Sequence, residues 1–163
     1  MSGGSNAPVP YMERTRQYYR AMGYDKDYVW ANNEDAPFTP LKKPLAESRV
    51  ALITTASDKS QTNIDAKGVR HVWAGPTAPP PDALFTMNTA WDKESTHTDD
   101  RESFLPIETM QGFARDGRIG GLTDHFFGAP TVYSHRMTMQ RHAPEILERV
   151  QADGADVAVL SPL

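Results

Sequence analysis

The chain has 163 residues, 39% hydrophobic and 23% charged, which is enough for one domain with a substantial core. Its net charge of −4 and pI of about 5.7 argue against a nucleic-acid partner, which would normally meet a basic face. It contains no cysteine, which excludes disulfides, thiolate metal ligands and cysteine nucleophiles within these residues. No apolar run approaches the ~18–20 residues of a membrane span. The amino terminus has no basic segment leading into an apolar one, so the expected location is the cytoplasm.

Residues 1–9 read as a flexible tail and residues 10–163 as a single α/β domain. Pro10 suits the first turn of a helix whose Tyr11, Tyr18, Tyr19 and Met22 share a face, with Gly23 as its cap. Those tyrosines and Trp30 are expected to pack against a sheet. Pro37, Pro40 and Pro44 make residues 24–47 an extended arm. Arg49 to Ala56 is the best central strand, a near-continuous apolar run of the kind found where both faces of a sheet are covered.

Residues 57–68 are a polar loop at the carboxyl end of that strand. Val69 to Ala74 and Ala83 to Thr89 are weaker strands, separated by a surface connection over Gly75 to Pro81. Pro106 opens an amphipathic helix through Ile107, Met110 and Ala114, closed by Gly117. Pro144 opens another, with Ile146, Leu147 and Val150 on one face and Gly154 as its cap. Ala155 to Leu163 follows as a buried strand. This helix–glycine–strand unit points to α/β architecture.

The chemistry-bearing residues are few. Trp91 to Asp100 gathers His97, Asp99 and Asp100 after a candidate strand. His97 with Asp99 suits a metal ligand pair or an acid–base pair, and equally suits solvation or capping in a polar loop. Thr54 and Thr55 end the central strand, where hydroxyls meet ligands in α/β sheets. His125, His135 and His142 are scattered, and no zinc motif is present. Gly117-Arg118-Ile119-Gly120-Gly121 lacks the context of a phosphate loop and reads as a turn with close backbone approach.

Several stretches in order resemble the glycine/sarcosine/betaine reductase selenoprotein B family and the related D-proline reductase subunit. They are Pro37-Phe38-Thr39-Pro40-Leu41-Lys42-Lys43-Pro44-Leu45, Arg49 to Thr55, and Thr96-His97-Thr98-Asp99-Asp100. Phe104 to Ile107, Gly117 to Leu122 and Asp153 to Pro162 complete the set. The resemblance implies a partial Rossmann/flavodoxin-like parallel sheet with flanking helices. It also implies a reductase that cleaves a carbon–nitrogen bond in a small substrate through a selenol or thiol.

The family's selenocysteine/cysteine motif would follow Leu163. The expectation is therefore an amino-terminal portion, with the carboxyl half of the sheet missing and no catalytic redox residue within the chain. A selenocysteine codon read as a stop accounts for that, and the chain alone is then inactive. His97, Asp99, Asp100, Thr54 and Thr55 are the candidates for substrate contact or proton transfer. The implied partners are a small-molecule substrate and a subunit bearing a pyruvoyl group, or a second copy, with no metal, nucleic acid or membrane. A non-catalytic module of the same fold that binds a small molecule or a partner is the alternative.

Overall fold

The structure is a computed structural model that describes residues 8–27, 29, 32–36, 39–87, 94–95 and 97–163. It has two compact units, Met1–Pro37 and Phe38–Leu163. Among the described residues no helix is long and apolar enough to cross a membrane.

The first unit carries helix α1 (Tyr11–Ala21). Gly23 takes a left-handed φ of +90° and lets the Tyr24 N–H reach back to the Tyr19 carbonyl at 3.1 Å, closing the helix as the sequence suggests. Its tyrosines do not bury. No residue of α1 is buried, and Tyr18, Tyr19 and Tyr24 instead meet one another edge to face. Trp30 lies outside the described residues.

The second unit is an open, mixed five-stranded α/β sheet. Its centre is β1 (Arg49–Thr54). Strands β3 (Gly121–Leu122) and β4 (His125–Gly128) run in line, parallel to one edge of β1. Strand β5 (Val157–Ser161) runs parallel to its other edge. Strand β2 (Trp73–Pro76) is antiparallel and pairs with β4.

Successive residues of β1 face opposite ways, so both faces must be covered. Val50 and Leu52 pack with Phe104, Leu105, Ile107 and Phe126 beneath α2 (Ile107–Arg115). Ala51 packs with Phe127, Ile146 and Val150 beneath α4 (Ala143–Ala152), with Ile53 against the same cluster. That is the reason for the uninterrupted apolar run. At the amino end, Asp156 accepts the Arg49 N–H at 2.8 Å and pairs with Lys43 at 2.7 Å, locking β5 to β1.

The glycine turn behaves as its composition predicts. A Cβ on Gly120 would lie 2.6 Å from the Glu47 carbonyl carbon, so two backbones pass there at a distance only glycine permits.

Four local expectations are corrected. Gly75 and Pro76 belong to β2, opposite Phe126 and His125, and are not part of a connection. Proline fits because β2 is an edge strand with no second ladder to feed. Ala83 to Phe85 forms no strand, only a bridge from Phe85 to Ser57; residues 88–89 of that expectation lie outside the described residues.

The helix assigned to Pro144 begins earlier. It runs from α3 (His135–Met137), capped by the Ser134 hydroxyl, through a π-helical turn (Thr138–His142) into α4. The wide turn falls where Pro144 has no N–H to give the preceding turn. Finally, β5 is not buried: it pairs with β1 alone among the described residues, and Leu160 is 60% exposed.

Candidate functional site

The parallel strands β1, β4 and β5 end together, and that end is where α/β sheets place their ligands. There the backbone is held by hydroxyls. Thr55 Oγ1 accepts the Leu163 N–H at 2.9 Å, and the Thr131 hydroxyl donates to the Thr55 carbonyl at 3.1 Å. Ala129 N–H donates to the Thr54 carbonyl at 2.8 Å. Thr54 is fully buried, and its Oγ1 accepts the Ala56 N–H at 3.3 Å. Of the two hydroxyls, that of Thr54 bonds within its own segment and that of Thr55 reaches across to the segment after β5.

The loop after β1 adds a charged row. Asp65 accepts N–H groups from Lys67 and Val69 at 2.8 and 2.9 Å, and its other oxygen meets His71 Nε2 at 3.0 Å. On the far side of the ring, an Arg141 guanidinium nitrogen faces His71 Nδ1 at 3.4 Å. The His71 contact, with the two N–H groups, holds the Asp65 carboxyl below its ordinary range.

With a carboxylate on one nitrogen and a guanidinium on the other, both ring nitrogens of His71 are engaged. It clamps the loop to the π-helical turn. His71 lies two residues before Trp73, which pairs with Gly128, so the clamp stands at the carboxyl end of the sheet.

The acidic stretch divides. His97 and Asp99 lie 3.7 Å apart, with side chains 67% and 91% exposed. That distance is long for a hydrogen bond, and an exposed pair contributes little to stability. Asp100 caps a short turn (Arg101–Ser103) by accepting the Glu102 N–H at 2.9 Å. No hydrogen bond or ion pair among the described residues joins these three to Thr54 or Thr55, and residues 91–93 and 96 lie outside the description. No three His, Asp or Glu side chains among the described residues converge as a metal centre.

His125 faces Asp153 at 3.4 Å on the opposite end of the sheet. His142 is buried, and burial, followed by the neighbouring Arg141, pushes its pKa down, so the ring is neutral.

Sequence reasoning singled out the loop after β1 but neither Asp65 nor His71. A signal for the local half existed: Asp65-Ala66-Lys67-Gly68 is a turn sequence, with Gly68 at φ +76°. The Arg141 contact, 70 residues away, has no local signature.

No family model, curated protein or solved structure matches the chain.

The Thr55 bond is directly testable. Thr55→Val keeps the side-chain shape and removes the acceptor for Leu163 N–H. The expected loss is about 0.5–1.5 kcal/mol in urea denaturation, with faster hydrogen exchange at the Leu163 amide. An unchanged exchange rate there would show that the bond does not hold this terminus in solution.

Proposed function

We propose that the chain forms the amino-terminal part of a selenol- or thiol-dependent reductase of the glycine/betaine/D-proline reductase type. Its sheet would be of the Rossmann/flavodoxin kind, and the reaction a reductive carbon–nitrogen cleavage, or related redox chemistry, on a small substrate. The proposal rests on the ordered stretches that resemble that family. The single structural observation behind it is the meeting of β1 and β5, with Leu163 N–H on Thr55 Oγ1.

In the resemblance, the redox motif starts after Leu163. Residues placed there would leave a strand end for a following helix, where backbone N–H groups and the helix dipole favour an anion. A selenolate or low-pKa thiolate is the nucleophile such a position suits. None of the 163 residues is a cysteine, so this chain's part would be to hold and surround that group.

In this reading Thr55 fixes the start of the redox segment, and buried Thr54 shapes the turn behind it. His97 and Asp99, exposed and lightly tethered, serve as the mobile proton-transfer or substrate contacts. Asp100 anchors their loop. A pyruvoyl-bearing subunit is the proposed partner.

The test is the coding DNA beyond the Leu163 codon, with intact mass and selenium analysis of the native protein. A UGA codon followed by an open frame with a nearby cysteine codon, and selenium in the product, is expected. An ordinary stop codon with a native mass of 18.1 kDa and no selenium would overturn the proposal.

A further inference from the structure

The two contacts of His71 respond differently to a proton. Asp65 meets Nε2 at 3.0 Å from the loop after β1, and Arg141 meets Nδ1 at 3.4 Å from the π-helical turn. A guanidinium has no acceptor. Its contact is therefore a hydrogen bond only while Nδ1 offers a lone pair, as a neutral ring with its proton on Nε2 does. The same tautomer donates to Asp65, so one neutral ring serves both partners.

An imidazolium donates from both nitrogens. The Asp65 contact then gains charge, while Nδ1–H points at a guanidinium that can only donate in return. Two like charges that close repel. Arg141 is exposed, so water takes over its hydrogen bonds as soon as the ring gives it up.

We infer that His71 is a pH-operated latch: its neutral ring holds the Arg141 side chain against the loop after β1, and protonation of the ring releases that side chain into solvent. The latch stands at the carboxyl end of the sheet, where α/β folds bind their ligands. It also bears on a π turn, a distortion that gathers at functional sites. Imidazole is the side chain that ordinarily changes charge between about pH 5 and 8, so the release belongs to mildly acidic conditions. The device is made of residues present in the chain and is independent of the reductase proposal.

The other charged groups around the ring keep their state. Asp65 is held below its ordinary range, first by its bond to His71 and then by the Val69 N–H, so it stays ionised above about pH 5. His142, beside Arg141, is pushed down by burial and then by Arg141, so its ring is still neutral where an ordinary histidine begins to charge. Glu145 is paired with Arg149 at 2.7 Å.

The test uses the full chain, labelled at arginine and histidine side chains and followed by nuclear magnetic resonance. Overhauser contacts between the His71 ring and the Arg141 side chain are expected at about pH 8 and lost at about pH 5.5. The order parameter of the Arg141 side chain, from carbon relaxation, should fall by about a third across that interval. Its midpoint should coincide with the titration of the His71 ring nitrogens.

His71→Gln has no ring to titrate, so Arg141 should be equally ordered at both pH values. If that variant fails to fold, the agreement of the two wild-type midpoints decides alone. An Arg141 contact that persists beside a protonated ring, equal mobility of Arg141 at both pH values, or a ring that does not titrate in this interval would each overturn the inference. A loss of order in His71→Gln as large as that of the wild type would do so as well, because acid would then act through another group.

Discussion

Gly128→Ala is expected to cost about 3 kcal/mol or more of stability, the largest effect of any single methyl group added near the site. A Cβ there would lie 1.7 Å from Trp73 Nε1 and 2.2 Å from its neighbouring ring carbon. The indole cannot simply step aside. Its Nε1–H donates to the Ala56 carbonyl at 3.2 Å, and its ring stands edge-on to Phe126 at 5.3 Å between centroids.

Relief therefore requires loss of that hydrogen bond, of the aromatic contact, or of the β2–β4 register. The first is worth about 0.5–1.5 kcal/mol, the second about 0.5–1.5 kcal/mol, and overpacking itself costs about 1–3 kcal/mol. Ala56 lies just beyond β1, so the damage reaches the carboxyl end of the sheet, where the candidate site stands.

Urea denaturation followed by circular dichroism measures the effect. The double variant Gly128→Ala/Trp73→Ala separates the mechanisms. With the indole gone, the glycine substitution should add almost nothing, a strong departure from additivity. A cost below about 1 kcal/mol for Gly128→Ala alone would show that β2 slides freely over β4.

This contact has no local signature in the sequence. Gly75-Pro76 carries the residues of a loop, and local propensity reads it as one. Only the partner strand explains it: a Cβ on Gly75 would sit 2.6 Å from the Phe126 ring, so glycine is required there for packing and not for turning. The same holds for Gly128 beneath Trp73.

The central strand was legible because its alternation carries both faces of the core within six residues. Helix α2 was legible because its apolar residues recur at helical spacing. The exposed tyrosines of α1 show the converse, since periodicity identifies a helix but not a surface that will cover it. At the candidate site, Thr54 and Thr55 could be read from their place at a strand end. Their different roles, one buried and one bridging to Leu163, depend on neighbours 108 residues away, which no local pattern encodes.

Glu102→Gln is expected to cost about 1–2 kcal/mol near pH 7 and progressively less as the pH falls. Helix α2 is preceded by Pro106, whose side chain gives its first turn no cap. Glu102 supplies the cap from outside the helix. One oxygen accepts the Glu108 N–H at 3.1 Å, and the other accepts the Thr109 N–H and hydroxyl, each at 3.0 Å. Arg101 ties the arrangement to Glu102 at 3.2 Å and Glu108 at 2.7 Å, and also donates to the Pro81 carbonyl.

A glutamine has one acceptor oxygen, so its amide nitrogen would face an N–H of the helix. Burial raises the Glu102 carboxyl, but the Thr109 and Glu108 N–H groups, Arg101 and the Thr109 hydroxyl outweigh it and hold the pKa below its ordinary value. A carboxyl lowered on folding stabilises the fold fully above its unfolded pKa, and the contribution disappears as pH falls through the folded one.

Asp58, Asp65 and Asp156 are also lowered, so both proteins lose stability in acid. The difference between wild type and Glu102→Gln isolates this one group. That difference, taken from urea curves at about pH 7, 5 and 3, should be largest at the first and smallest at the last. A gap that stays constant across the three would mean that Glu102 acts through shape and not through its charge.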